Sequence, residues 1–228
     1  MRMPEVAVSH ASRVSYSTNK VIRNTYLLLA MTLVFSAAMA GLSMLVSPPP
    51  LVSIGCLIGS MLITWLVLPR VQNSFAALPV TFLFTGLLGF ALGPILNRYL
   101  GLANGGEIIM TAMGITALTF TGLSAYVLTT RKDFSFMGGF LAAGMMVVLF
   151  SILAMLVLPF FGIDVSGLNL ALSAVIVLLM CGMILYQTGE IVNGGETNYV
   201  LATISLYVAI YNLFSSLLHL LGFGMGED

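Results

Sequence analysis

Seven runs of this chain are each long and apolar enough to cross a lipid bilayer: Thr25–Val46, Leu51–Leu68, Ala76–Leu96, Ile108–Leu128, Gly138–Phe161, Leu168–Gln187 and Val200–Gly222. A spanning helix needs about 20 mostly apolar residues, because the hydrocarbon core is about 30 Å thick and each residue rises about 1.5 Å. Backbone polar groups in lipid must be satisfied within the segment, and the alternating pattern of a membrane barrel is absent, so the runs are helices. The predicted fold is all-α: a polytopic membrane protein of seven transmembrane helices. The connectors are short and rich in breakers, as in Pro48-Pro49-Pro50, Pro69-Arg70, Asn104-Gly105-Gly106, Gly162–Gly167 and Asn193-Gly194-Gly195. None can hold a soluble domain. Residues 25–222 therefore form one bundle, flanked by a polar tail over 1–24 and a short tail over 223–228. The tail over 1–24 has no apolar helical face and is expected to be disordered. The Ala38-Met39-Ala40 motif resembles a signal-peptide cleavage site, but the lead before it is long and the apolar run continues past it, so the first helix is expected to stay.

Charge sets the orientation and removes several functions. Only 7% of the 228 residues are charged, with eight basic residues against eight acidic ones. No basic face exists for a nucleic-acid partner. Arg2, Arg13, Lys20, Arg23, Arg70, Arg131 and Lys132 fall on one side of the predicted membrane and Arg98 alone on the other. By the positive-inside rule the amino terminus is cytoplasmic, and an odd number of crossings leaves Glu227 and Asp228 outside.

The seven runs contain no Asp, Glu, Lys or Arg. Buried ionisable groups mark ion paths and proton relays, so their absence argues against a pump or a charge-selective channel. Glu107, Asp133, Asp164 and Glu190 sit at boundaries, with Glu190 the nearest to a span. Cys56 and Cys181 lie singly in apolar runs, and His10 and His219 have no ligand spacing, so neither a metal nor another cofactor is expected. Gly122-Leu123-Ser124-Ala125 and His219-Leu220-Leu221-Gly222 faintly resemble the serine and histidine motifs of rhomboid proteases. The deduced orientation separates Ser124 from His219 by roughly 20 Å along the membrane normal, far beyond the reach of a nucleophile and its base. No enzyme is expected.

Small residues recur where helices can approach closely, including Gly55 and Gly59, the set Gly86, Gly89 and Gly93, and Gly138, Gly139 and Gly144. Gly93-Pro94 is expected to break the third helix near its end. The run Thr85-Gly86-Leu87-Leu88-Gly89-Phe90-Ala91-Leu92-Gly93-Pro94-Ile95-Leu96 resembles the signature of the Bax inhibitor-1 family, also called TMBIM. Further blocks agree in order: Leu128–Asp133 with Ser135-Phe136, Gly194–Tyr199, Ser205–Tyr207 and Tyr211–Phe214.

The resemblance implies a seven-helix fold with a cytoplasmic amino terminus and, for the bacterial branch, an inner-membrane modulator of the FtsH protease. On that reading FtsH is the partner, the tail bearing Arg13, Lys20 and Arg23 is a handle, and the loops with Arg131, Lys132, Asp133, Glu190 and Glu196 are surfaces a partner can read. The family also implies an alternative, a pH-sensitive calcium or small-cation leak controlled by paired aspartates on the sixth and seventh helices. Their positions fall here on Gln187 and Ala209, neither of which titrates, which argues against the leak.

Overall fold

The computed structural model describes the backbone of residues 5–225 and the side chains of residues 18–224. Its helices are α1 (Glu5–Val46), α2 (Pro50–Leu62), α3 (Leu68–Val71), α4 (Ala77–Leu100), α5 (Gly105–Thr130), α6 (Gly138–Val157), α7 (Ser166–Asn193) and α8 (Tyr199–Met225). A π-helical turn, Ile63–Val67, joins α2 to α3, so Pro50–Val71 is a single span. Seven spans result, and no strand occurs among the described residues. The helix α1 begins at Glu5, inside the tail for which the sequence suggests disorder. The side chain of Arg13, and residues Glu227 and Asp228, lie outside the described residues.

The helices α4, α7 and α8 form the interior. The helix α1 packs on α4 and α8, α5 on α7 and α8, α2 on α4, and α6 on α7. In its most apolar window α8 buries 56% of its residues, whereas the span containing α6 buries 11%. That outer helix presents Phe140, Met146, Phe150 and Leu156 outward, as an apolar solvent requires. Two side-chain cores stack along the bundle. One is built around Ile108, Leu141, Leu179, Ile184 and Leu213, the other around Leu29, Phe84, Ile191, Leu206 and Tyr207; Phe120 and Tyr211 pack against both.

The glycines of the signature run are a groove for α1. A Cβ on Gly89 would overlap the carbonyl and hydroxyl oxygens of Ser36, one on Gly93 would overlap the Ser43 side chain, and one on Gly86 would meet the Phe35 ring at 2.8 Å. Lipid gives helices no hydrophobic reason to associate, so close backbone approach of this kind supplies the packing. The facing stripe on α1 is made of small polar residues, Thr32, Ser36 and Ser43, all buried. Tyr207 of α8 closes this three-helix contact: its phenol oxygen lies 2.5 Å from Ser36 Oγ and donates to the Thr85 carbonyl at 3.2 Å.

Two prolines behave differently from the sequence expectation. Pro94 does not break its helix, since α4 runs on to Leu100. A transmembrane helix tolerates a proline where neighbouring structure holds the chain in place. Here Asn97 pins the end of α4 to the end of α1, with Nδ2 donating to the Met44 carbonyl at 3.0 Å and to Ser47 Oγ at 3.3 Å. Pro69 is not a connector either. It lacks the N–H that Trp65 would receive in an α-helix and its ring crowds that carbonyl, and the wider π turn accommodates both effects. The Leu68 N–H reaches back to the Ile63 carbonyl, and the Arg70 guanidinium donates to the Leu66 carbonyl.

Candidate functional site

The described Asp, Glu, Lys and Arg side chains lie near helix ends and in loops, except Lys20 and Arg23, which sit within α1 ahead of its apolar run. Lys20, Arg23, Arg70, Arg131, Lys132, Asp133, Glu190 and Glu196 gather at one end of the bundle, here called the basic end, while Arg98, Glu107 and Asp164 occupy the other. Local sequence explains how the loops at the basic end are held. Arg131 takes the left-handed conformation (φ 51°) that stops α5, and its N–H bonds the Val127 carbonyl. Asp133 Oδ1 then accepts the Ser135 N–H at 2.8 Å, and this bond holds the carboxyl below its usual range. The Lys132 ammonium lies 5.6 Å from the centroid of the Tyr126 ring, and the neighbouring Tyr126 side chain raises its pKa.

The connection between α7 and α8 is equally ordered. Gly194 (φ 79°) caps α7, and the N–H groups of Gly195 and Glu196 both bond the Glu190 carbonyl. Glu196 Oε1 accepts the Asn198 N–H at 2.7 Å, so this acid shapes a turn. Asn198 is the N-cap of α8, with Oδ1 accepting from the N–H groups of Val200 and Leu201. Its Nδ2 reaches across to the Gln72 carbonyl at 2.9 Å and Asn73 Oδ1 at 3.2 Å. One side chain thus ties the α3–α4 loop to the α7–α8 loop. Between them opens a cleft of about 470 Å³ lined by Gln72, Asn73, Ser74, Phe75, Thr197 and Asn198. Phe75 stands on it 88% exposed.

The structure therefore gathers Arg131, Lys132, Asp133, Glu190, Glu196, Lys20 and Arg23 at one end but draws no ion pair among them within the described residues. The α3–α4 loop belongs to the same surface and was not among the sequence candidates. Its signal was present as Gln72-Asn73-Ser74, a polar triplet between two apolar spans, and Asn198 had the composition and position of an N-cap. What could not be read was their pairing, across 126 residues.

The positions of the family's acidic pair carry no charge. Ala209 is buried between helices, and Gln187 Oε1 is buried without a hydrogen-bond partner among the described residues. Among those residues no group of three or more His, Cys, Asp or Glu could hold a metal ion. Cys56 and Cys181 are free thiols in separate spans. Ser124 and His219 do not meet: His219 Nδ1 lies 3.1 Å from Ser173 Oγ, which also bonds the Asn169 carbonyl at 3.0 Å. A serine hydroxyl has one proton; given to Asn169, it leaves Ser173 as the acceptor of the histidine N–H, the reverse of nucleophile activation.

Fold and surface together define a polytopic α-helical membrane protein with its charged, ordered loops at one end. The profile of a family described as inhibitor of apoptosis-promoting Bax1 matches residues 18–226. The chain belongs to this Bax inhibitor-1 family. It is 52% identical over 208 residues to an uncharacterized protein of Pseudomonas aeruginosa, with 91% of each chain covered. It is 48% identical over 221 residues, 96% of each chain, to a protein of Escherichia coli K12 named modulator of FtsH protease YccA. The same protein in another Escherichia coli strain is named inner membrane protein YccA, and a Vibrio cholerae membrane protein is 47% identical over 211 residues.

Proposed function

We propose that this chain is an inner-membrane modulator of the FtsH protease, acting in membrane-protein quality control and performing no chemistry of its own. The observation that carries the reading is its 48% identity, along 96% of both chains, to the Escherichia coli protein named as such a modulator. The distribution of lysine and arginine supports a cytoplasmic basic end and an outer carboxyl end. On this reading residues 1–24 form the handle that the protease grips, through the segment bearing Arg13, Lys20 and Arg23. The compact bundle resists extraction, so the protease is occupied and turns over other substrates more slowly. The neutral residues at Gln187 and Ala209 favour this reading over a cation leak gated by paired acids.

The test is copurification of the tagged full-length chain with FtsH from native membranes. FtsH is enriched over a control seven-helix protein if the reading holds; recovery no better than the control overturns it. Exchange of the segments Gln72–Phe75, Thr129–Phe136 and Gly189–Tyr199, one at a time, then locates the contact. Deleting residues 3–18 is expected to lengthen the lifetime of the chain in cells without impairing assembly, and unchanged turnover removes the handle.

A further inference from the structure

Five buried polar atoms on α1, α5 and α7 have no hydrogen-bond partner among the described residues: Thr25 Oγ1, Tyr26 OH, Ser124 Oγ, Gln187 Oε1 and Thr188 Oγ1. Thr25 and Thr188 are 0% exposed and Ser124 is 3% exposed. The other threonines buried in α4 and α5, Thr81, Thr85 and Thr116, each bond the carbonyl four residues back; these do not. An unsatisfied buried polar group costs about 1–3 kcal/mol, and folded proteins keep few of them. Ser43, Ser53 and Ser215 are likewise unpaired but belong to other parts of α1, α2 and α8.

Helix geometry places the five at one depth. Gln187 and Thr188 lie six and five residues before the end of α7 at Asn193, and Ser124 lies six before the end of α5 at Thr130. At about 1.5 Å per residue all three are roughly 7–9 Å inside the basic end. The α7–α8 hairpin sets Thr203 opposite, and its hydroxyl contacts the Thr25 carbonyl at 3.2 Å, which brings α1 to the same level. The Tyr26 ring meets Phe120, one turn from Ser124, with centroids 6.1 Å apart. Three helices, α1, α5 and α7, thus contribute the five atoms, α8 adjoins them through Thr203, and none of the five carries a formal charge.

We propose that this layer is a hydration site holding a small cluster of ordered water inside the basic half of the bundle. Each buried water makes about three hydrogen bonds, so five orphaned groups match about two molecules. Hydroxyl and amide oxygens without a carboxylate suit water and lack the charge that a calcium site needs. The layer includes Gln187, so a polar, uncharged water site stands where the family's leak would place an acid.

Hydroxyl-radical labelling by X-ray radiolysis of the intact protein in detergent tests this, because radicals form from water held beside a side chain. Tyr26 is expected to keep its labelling when a bulk radical scavenger suppresses that of the 88% exposed Phe75 at least about threefold, because a bound water is not reached by the scavenger. Equal suppression of the two overturns the proposal. Millimolar calcium is expected to leave Tyr26 labelling unchanged, and protection by calcium would replace water with a cation and overturn it. The isosteric Thr188→Val supplies an independent sign. It lowers the melting temperature if water satisfies the hydroxyl and raises it if the hydroxyl is a dry orphan, and the second result overturns the proposal.

Discussion

The phenol of Tyr207 and the hydroxyl of Ser36 lie 2.5 Å apart across 171 residues of sequence, where α1, α4 and α8 meet. The ring is also held edge-on by Phe84 and stacked with Tyr211. Tyr207→Phe keeps the ring packing and removes only the oxygen, leaving Ser36 Oγ and the Thr85 carbonyl each short of this partner. The expected loss is about 1–3 kcal/mol of stability. Thermal unfolding in detergent measures it. Because the two residues share one bond, Ser36→Ala with Tyr207→Phe is expected to cost less than the sum of the single changes.

The approach of α1 to α4 depends on Gly89. An added methyl group there strikes the Ser36 backbone carbonyl, which cannot move without α1 moving with it. Gly89→Ala is expected to destabilise by about 1–3 kcal/mol through overpacking, outweighing the gain of about 1 kcal/mol in helix propensity. Gly114 has nothing within 4 Å of an added Cβ, so Gly114→Ala keeps only the propensity gain. The fraction of monodisperse protein after graded heating ranks the two, and equal behaviour would remove the groove.

These contacts show what a single chain reveals. Apolar length alone gives all seven spans, because lipid leaves a spanning segment no other conformation. Apolar length places their ends short wherever polar residues remain helical: α4 keeps Asn97, Arg98 and Tyr99, and α7 keeps Thr188 to Asn193. Pro94 and Pro69 carry a local rule that tertiary contacts and a π turn absorb. The small residues at Gly86, Gly89 and Gly93 marked a packing face but not its partner. Asn198 with Gln72, and Ser173 with His219, join residues far apart in sequence whose side chains carry no mark of each other.

At the end away from the basic loops, Asp164 begins α7 by bonding Ser166, with Oδ2 accepting the hydroxyl at 2.5 Å and Oδ1 the N–H at 3.0 Å. The hydroxyl bond is the larger cause holding this exposed carboxyl below its ordinary value of 3.8. A depressed carboxylate contributes stability above its unfolded value and loses it as pH falls through the folded one. The turn is therefore expected to persist at pH 4 and to loosen only below 3.8. Carboxyl resonances of Asp164 followed by NMR give its midpoint, and Ser166→Ala is expected to move that midpoint upward.

Asn198 performs two tasks that substitution can separate. Its Oδ1 caps α8, and its Nδ2 holds the α3–α4 loop through Gln72 and Asn73. Asp keeps the capping oxygen but has no amide donor, so Asn198→Asp is expected to retain the start of α8 while freeing residues 72–76. Alanine loses both, at a cost of about 0.5–2 kcal/mol for the cap alone. Amide hydrogen exchange distinguishes them: faster exchange in the α3–α4 loop for both variants, and at the amides of Val200 and Leu201 for alanine only. If the cleft at this end receives the partner, the aspartate variant weakens FtsH copurification with the bundle intact, since the loop that carries Phe75 is no longer held in place.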